Sequence, residues 1–533
     1  MRLLRRAALN GRLNSPSQAL RSVCGGSPVH VRGYSGVINT TATETTRKSR
    51  ATLLDHHEVI KEQRLVARSI YSPGSPLFHP DGAHVFNKLV SFLRAQYRSF
   101  GFEEVITPSI YKRSLWERSG HWENYADDMF SVVGRGASGQ KQQAEIGEDE
   151  IFGLKPMNCP GHCLLFDSAN RVHKDLPIRY ADFSALHRNE ISGSLSGLTR
   201  LRRFHQDDGH IFCRPSQVSE EVSATLEFVT MVYRTFKLPP VKLVLSTRPH
   251  DQYIGTVEDW DRAENALKKA LDASGREWSF NEGDGAFYGP KIDISLSDMN
   301  GKEHQTATIQ LDFQLPQRFD LHYNAPAPEQ ERLGLTTTDP VLLNRNGRVT
   351  PVIIHRAVLG SLERFMALLM EHFQGAWPFW ISPRQATVIT AGRDEETIGY
   401  AKGVVATLSG LQSAGEAAKQ PSAAGISDAV RAPLALDEPT FRVNLADLSK
   451  PFRRNIETAK FTNVLIVVRP GMMQRGVVEV DLSRHPDQQA MREILATCLS
   501  QMEYKAALDN PNAVELSPKT VFRVFVELSR RYE

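Results

Sequence analysis

Cys159, His210 and His355 carry one thiol and two imidazoles, side chains that together make a candidate metal site. Each sits among other chemistry. Cys159 lies in Lys155-Pro156-Met157-Asn158-Cys159-Pro160-Gly161-His162, His210 ends Phe204-His205-Gln206-Asp207-Asp208-Gly209-His210, and His355 opens His355-Arg356-Ala357-Val358-Leu359-Gly360-Ser361. Spacing alone does not make them a site, because the ligands of zinc fingers and ribbons come in close pairs. Other donors lie near in sequence: His162, Cys163 and Cys213.

The segment 178–212 is the densest in chemistry. It predicts two strands, 178–188 and 199–212, joined through the Ser/Gly-rich stretch from Ile191 to Leu198. On the second strand Arg200, Arg202, Phe204, Gln206, Asp208 and His210 all fall on even positions, and alternate residues of a strand share a face. A solvated face would not expose Phe204, and the odd positions (Leu201, Arg203, His205, Asp207, Ile211) are no clean core face either. The pattern suits a strand covered by substrate on one side. Arg188 and Glu190 share parity and are expected to face the same cleft.

The elements that must position these groups are legible in outline. His84 to Tyr97 has Val85, Leu89, Phe92, Leu93 and Tyr97 at helical spacing, and Phe102 to Pro108 follows as a strand. Ile292, Ile294 and Leu296, then Ile309, Leu311, Phe313 and Leu315, alternate with polar residues as strands do. Leu362, Phe365, Met366 and Leu369 mark a half-buried helix. Mostly antiparallel strands with few crossover helices predict an α+β catalytic domain over 55–378. Pro378 and Pro383 bound it. Beyond them Ala386–Thr390, Phe441–Val443 and Val464–Val468 alternate with helical signals, which predicts a small α/β domain over 381–533. Within it the Ala-, Ser- and Gly-rich stretch 412–437 reads as an insertion. The Gly-, Gln- and Glu-rich stretch 134–150 reads as an exposed loop.

Composition sets the outer bounds. At 41% hydrophobic, 23% charged and a mean hydropathy of −0.34, the chain has the make-up of a soluble globular protein. No apolar run reaches the roughly 20 residues of a membrane helix, so no membrane partner is expected. Five cysteines in such a length fit a reducing compartment, and a net charge of +3 argues for no partner by itself. The charge is uneven, however. Residues 1–43 contain Arg2, Arg5, Arg6, Arg12, Arg21 and Arg32 and no acid, with Leu3, Leu4, Ala7, Ala8 and Leu13 able to form one apolar helix face. An arginine-rich, acid-poor, hydroxyl-rich leader over 1–50 is the signature of a mitochondrial transit peptide. A disordered basic tail that binds RNA is the alternative.

Arg188-Asn189-Glu190, the Gly/Ser loop, Arg200 and Phe204 resemble motif 2 of the class II aminoacyl-tRNA synthetases. Leu359-Gly360-Ser361-Leu362-Glu363-Arg364-Phe365 resembles their motif 3, and helix 84–97 with strand 102–108 resembles motif 1, which builds a dimer interface. Lys155 to His162, His187 to Leu198, Gln206 to Cys213, Gly285 to Lys291, Gln310 to Phe313 and His355 to Phe365 are similar, more narrowly, to the threonyl-tRNA synthetases. The resemblance is close over 55–380 and looser over 381–533, which looks like a class IIa anticodon-binding domain. It implies a homodimer with an antiparallel class II catalytic sheet, whose partners are ATP, L-threonine and tRNA(Thr).

The resemblance also implies roles. Activation is attack of a carboxylate on the α-phosphorus of ATP, where positioning and charge neutralisation do most of the work. Arg188 and Arg364 are the catalytic arginines: Arg188 holds the α-phosphate and carboxylate oxygens, while Arg200 and Arg364 hold the β/γ end. Phe204 stacks on adenine, Glu190 accepts from its amino group, and Gln310 and Ser361 complete the ATP site, with Mg²⁺ bridging the phosphates. Met157, Gln206, Asp208, Tyr288, Lys291 and Gln305 bind threonine, with Gln310 beside them. Cys159, His210 and His355 map onto the family's three zinc ligands, one Zn²⁺ per active site. Three protein ligands leave a fourth position open, the catalytic pattern. That zinc reads the amino group and hydroxyl of threonine.

With the leader, the resemblance implies a mitochondrial-matrix member. Relatives of the cytosol and of bacteria carry about two further domains ahead of the catalytic one, including an editing domain. Only about 50 leader residues precede it here, so no editing domain is expected. An inactive synthetase-like regulator and a prolyl or seryl enzyme of the same class are the alternatives; the intact Arg188, Arg200 and Arg364 oppose the first and the Cys/His/His set opposes the second. Among anticodon contacts, Phe441, Arg442, Arg453, Arg454 and Lys460 are candidates.

Overall fold

A nine-stranded sheet holds the chemistry-bearing segments together. In a computed structural model the described residues are 54–134, 151–251, 253–297, 303–411 and 438–533. The leader, nearly all of the stretch 134–150 and the expected insertion 412–437 lie outside them. The strands of the large sheet, in chain order, are β1 (Glu103–Glu104), β2 (Ile178–Asp182), β3 (Ala185–His187), β4 (Arg203–Cys213), β5 (Lys242–Ser246), β6 (Trp278–Asn281), β7 (Lys291–Ser297), β8 (Glu303–Asp312) and β9 (Val352–Ser361). Their spatial order is β6-β5-β7-β8-β9-β4-β2-β1, with β3 paired to β4. Only the two edge pairs, β5–β6 and β1–β2, run parallel; the rest are antiparallel, as the alternating patterns imply.

Helices α1 (Pro80–Ser99), α3 (Val218–Thr235) and α4 (Leu362–His372) close one side of this sheet, while α2 (Cys159–Asp167) carries the Cys159 segment. Val85, Leu89, Phe92 and Leu93 of α1 and Phe365, Met366 and Leu369 of α4 are buried in the same apolar core as Ile292, Ile294, Ile309 and Leu311 of β7 and β8. Periodicity 3.6 and periodicity 2 thus point at one core from two element types. The motif-1 strand is shorter than expected. Only Glu103 and Glu104 pair with β2; Pro108 offers no N–H, and Thr107 turns its hydroxyl to Asp182 (2.7 Å). Strand 199–212 likewise begins only at Arg203; just ahead of it Arg202 O still accepts from Arg188 N (2.9 Å), while the N–H groups of Arg202 (2.7 Å) and Arg203 (3.2 Å) both go to Gly74 O.

A second, five-stranded sheet follows: β10 (Ala386–Thr390), β11 (Val443–Leu445), β12 (Val464–Val468), β13 (Val478–Asp481) and β14 (Val514–Leu516), in the order β11-β10-β12-β13-β14. β10 runs parallel to β11 and β12, and β13 and β14 are antiparallel additions. It has its own core, in which Val388, Ile466, Val480, Val524 and Phe525 are buried. Among the described residues, no helix is long and apolar enough to cross a membrane.

Candidate active site

The strand register resolves the long sequence gaps between the three candidate metal donors. His355 of β9 and His210 of β4 are direct cross-strand partners, and Gln310 of β8 is the partner of His355 on its other side. Directly opposed residues of an antiparallel pair bring their side chains together on one face. Cys159 reaches the pair from the first turn of α2. The thiol sulphur and one nitrogen from each imidazole all lie within 4.8 Å of one another. His210 Nε2 and His355 Nδ1 face each other at 2.9 Å.

This donor set suits zinc. A tetrahedral ion with Zn–N of about 2.0–2.1 Å and Zn–S of about 2.3 Å spaces its ligand atoms roughly 3.3–3.7 Å apart. The distances here bracket that range, so small side-chain shifts suffice. Burial pushes the His210 pKa well below the usual range and keeps the ring neutral, the form that ligates. Burial, then the Asp208 charge, pushes the Cys159 thiol up; a bound cation would reverse this by stabilising the thiolate. Of the competing donors, His162 stands behind His210 (Nδ1 to Nδ1, 2.8 Å). Cys163 and Cys213 are buried free thiols that do not join the cluster.

The candidate metal donors and several arginines line one cavity of about 460 Å³. Met157, Cys159, Gln206, Asp208, His210, Tyr288, Gln305, Gln310 and His355 border it, and so do Arg188, Glu190, Arg200, Phe204, Ser361 and Arg364. The parity reading of β4 holds: Phe204, Gln206, Asp208 and His210 face the cavity, while His205 turns away to Glu363 Oε1 (2.8 Å). Arg202 does not line it; its guanidinium donates to Glu190 O (2.8 Å). Lys291 also stands apart from the lining, held by Asp293 (2.8 Å) and Asp284 (3.1 Å).

At the metal-donor end the polar groups are tied down. Asn158 donates to Asp208 Oδ2 (3.1 Å), Tyr288 donates to Gln310 Oε1 (3.0 Å), and His355 Nε2 contacts Asp312 Oδ2 (2.8 Å). At the other end the arginines converge with free donors. Nε of Arg188 and Nε of Arg364 are buried and have no hydrogen-bond partner among the described residues. Arg188 lies over the Phe204 ring, 5.0 Å from its centroid. Arg200 pairs with Glu190 (2.8 Å).

A bulge aims Arg364 into the cavity. The register of β9 against β4 shifts between Ala357 and Ser361, and buried Asp207 accepts from the N–H groups of Val358 (2.8 Å) and Leu359 (3.0 Å) inside the shift. Gly360 has φ +70, and a Cβ there would meet Thr306 O at 2.7 Å, so glycine is required. Ser361 then caps α4, accepting from Arg364 N (3.3 Å). Leu198, Thr199, Thr306 and Thr308 also border the cavity without having been singled out in the sequence, together with Arg356, Ala357, Gly360 and the odd-position Leu201, which lies ahead of the paired strand. Thr306 and Thr308 alternate on β8 with Gln310, the signal that could have found them.

The profile of the tRNA synthetase class II core domain (G, H, P, S and T) matches residues 143–373. The chain is 50% identical over 373 residues to a probable mitochondrial threonine–tRNA ligase of Schizosaccharomyces pombe, covering 69% of this chain and 74% of that one. It is 51% identical over 336 residues to a cytoplasmic threonine–tRNA ligase of Caenorhabditis elegans, 63% of this chain but only 42% of the relative. Among solved structures it resembles the RNA binding domain of threonyl-tRNA synthetase from Cryptosporidium parvum, with a TM-score of 0.68 and 37% identity over 89% of this chain and 98% of that chain.

Proposed function

The chain belongs to the threonine–tRNA ligase family of class II synthetases, and from that premise we propose that Cys159, His210 and His355 hold a zinc ion against which L-threonine is selected for ATP-dependent activation and transfer to tRNA(Thr) in the mitochondrial matrix. One observation carries this reading: three convergent metal donors and three convergent arginines share one cavity. Zinc bound there supplies an electrophilic position for an amino group and a hydroxyl. Asp208 accepts from the threonine side, with Asn158 fixing its carboxylate. Met157, Gln206, Tyr288, Gln305 and Gln310 bound the amino acid.

At the phosphate end Arg188 neutralises the α-phosphate and orients the attacking carboxylate, and Arg200 and Arg364 hold the β/γ phosphates of Mg²⁺-bound ATP. The planar guanidinium fork suits such oxygens, and the unpaired buried Nε atoms of Arg188 and Arg364 are donors ready for them. Phe204 offers its ring to adenine and Glu190 its carboxylate to the adenine amino group. Lys291 must leave Asp284 and Asp293 to reach a substrate.

Three wider readings accompany this one. The arginine-rich, acid-poor leader and the mitochondrial relative support the matrix location. Ile106 on the motif-1 segment is 88% exposed, which suits a homodimer interface beside α1. The part built on the five-stranded sheet, 381–533, is the anticodon-binding domain beside a catalytic domain over 55–378. Threonine-dependent ATP–pyrophosphate exchange, run beside proline and serine, tests the reading. Threonine should support exchange far above both, and a preference for proline or serine, or no exchange at all, would overturn it.

A further inference from the structure

The metal donors are the middle of a longer buried row. His162, His210 and His355 stand edge to face in sequence, with ring centroids 4.6 Å apart at both contacts and interplanar angles of 89° and 82°. Buried carboxylates close both ends: Asp312 Oδ2 lies 2.8 Å from His355 Nε2, and Asp182 Oδ2 lies 3.6 Å from His162 Nε2. None of Asp182, Asp312 and His162 lines the cavity.

Both carboxylates are acceptor-only groups. Asp312 Oδ1 accepts from the backbone N–H of Gln314 (2.7 Å) and Leu315 (3.0 Å). Asp182 accepts from Thr107 Oγ1 (2.7 Å), from Ser184 N (2.8 Å) and from the Ser184 hydroxyl, with Lys155 Nζ at 3.7 Å. Asp312 accepts the N–H of His355, while the Asp182 charge, beyond hydrogen-bonding distance of His162 Nε2, favours the proton on that nitrogen, which has no hydrogen-bond partner among the described residues. A neutral imidazole has one N–H and one lone pair. With its proton on Nε2 toward Asp312, His355 turns a lone pair outward on Nδ1. With its proton on Nε2 toward Asp182, His162 presents a lone pair on Nδ1, which accepts from His210 Nδ1–H (2.8 Å). His210 is then left with its lone pair on Nε2. The two outward lone pairs, His210 Nε2 and His355 Nδ1, meet at 2.9 Å, an arrangement that a cation held between or beside them relieves.

Resting on the zinc reading above, we infer that His162 (backed by Asp182) and Asp312 are positioning residues that fix opposite tautomers on His210 and His355, so that the first ligates through Nε2 and the second through Nδ1. Groups that fix a ligand's tautomer commonly govern metal affinity by roughly 10–100-fold. The direction of the Asp312 effect follows from its partners. In Asp312→Asn the two backbone N–H groups hold the amide oxygen, so the amide nitrogen must point at His355 and donate to it. His355 then carries its proton on Nδ1, facing His210, and is the wrong tautomer to ligate.

Zinc dissociation constants of the full chain, measured by competition with a chromophoric chelator, test this together with the visible spectrum of the Co²⁺-substituted protein. Asp312→Asn and His162→Leu should weaken zinc roughly 10–100-fold and alter the Co²⁺ bands, whereas His162→Gln, whose amide oxygen accepts from His210, should stay within about threefold of the parent. Unchanged affinity in Asp312→Asn, or a His162→Gln as weak as His162→Leu, overturns the inference. If Asp312→Asn does not fold, the matched Gln/Leu pair decides alone, since the two differ in hydrogen bonding far more than in volume. A parent protein that binds no zinc would instead sink the zinc reading itself.

Discussion

The two ends of the cleft are built differently. At the metal-donor end His210 is 2% exposed, the two candidate ligand histidines are register partners on central strands, and the groups around them hold one another, Asn158 on Asp208, Asp312 on His355 and His162 on His210, although Asn158 Oδ1 and His162 Nε2 have no partner among the described residues. At the phosphate end the Arg200 side chain is 57% exposed and tied to Glu190, and the Nε atoms of Arg188 and Arg364 have no partner among the described residues. One end is preorganised; the other must rearrange. If Glu190 is to meet an adenine amino group and Arg200 a phosphate, their 2.8 Å ion pair has to open. The difference suits a site that must refuse near-isosteres of one substrate while accepting a flexible, highly charged other. Preorganised donors cost no reorganisation when the substrate arrives, whereas an exposed ion pair contributes only about 0–1 kcal/mol and is readily exchanged for a phosphate.

Substitutions at the two ends should separate these behaviours. The largest effect belongs to Cys159→Ser, which should lose stoichiometric zinc and bring threonine activation below detection; retention of both by the variant contradicts the account. Discrimination comes next. The full chain should reject valine by roughly 10⁴-fold or more, because valine leaves polar groups unpaired, yet reject serine by only about 10–200-fold, because serine lacks a single methyl. Activation and charging assays with all three amino acids check this, and serine rejected as strongly as valine would show a second specificity device.

At the phosphate end Arg188→Ala or Arg364→Ala should slow adenylate formation by roughly 10²–10³-fold while zinc content stays at the parent level, a split that metal analysis beside exchange kinetics would reveal. Smaller again is Phe204→Leu, which should raise the KM for ATP by about tenfold through lost stacking, worth roughly 1–3 kcal/mol, and leave the KM for threonine unchanged. Parallel KM determinations decide it; a larger effect on threonine than on ATP would mean Phe204 serves the other end.

Much of the cleft was legible before the fold, and the reasons differ by residue. Parity alone placed Phe204, Gln206, Asp208 and His210 on one face, because the strand period of 2 needs no tertiary information. The convergence of His210 with His355 was not legible from spacing, since it depends on which strands pair and in what register. Asp312 and Asp182 escaped notice for a related reason: as single carboxylates in a sequence they look like any other, and only the row of imidazoles between them gives them a task. Lys291 shows the converse. It sits at the start of β7 beside the cleft, but two acidic neighbours hold its ammonium away from the cavity wall. The start of β4 moved from 199 to 203, where the N–H groups of Arg202 and Arg203 both turn to Gly74 O, a contact across more than a hundred residues. The leader and the stretch 412–437 lie outside the described residues.

Stripping and restoring the metal tests the central claim most directly. Threonine-dependent ATP–pyrophosphate exchange should disappear when the full chain is freed of zinc by chelation, and return in proportion to zinc added back, up to one ion per chain. Exchange that persists undiminished in the zinc-free protein would contradict the claim that Cys159, His210 and His355 hold the ion that reads threonine.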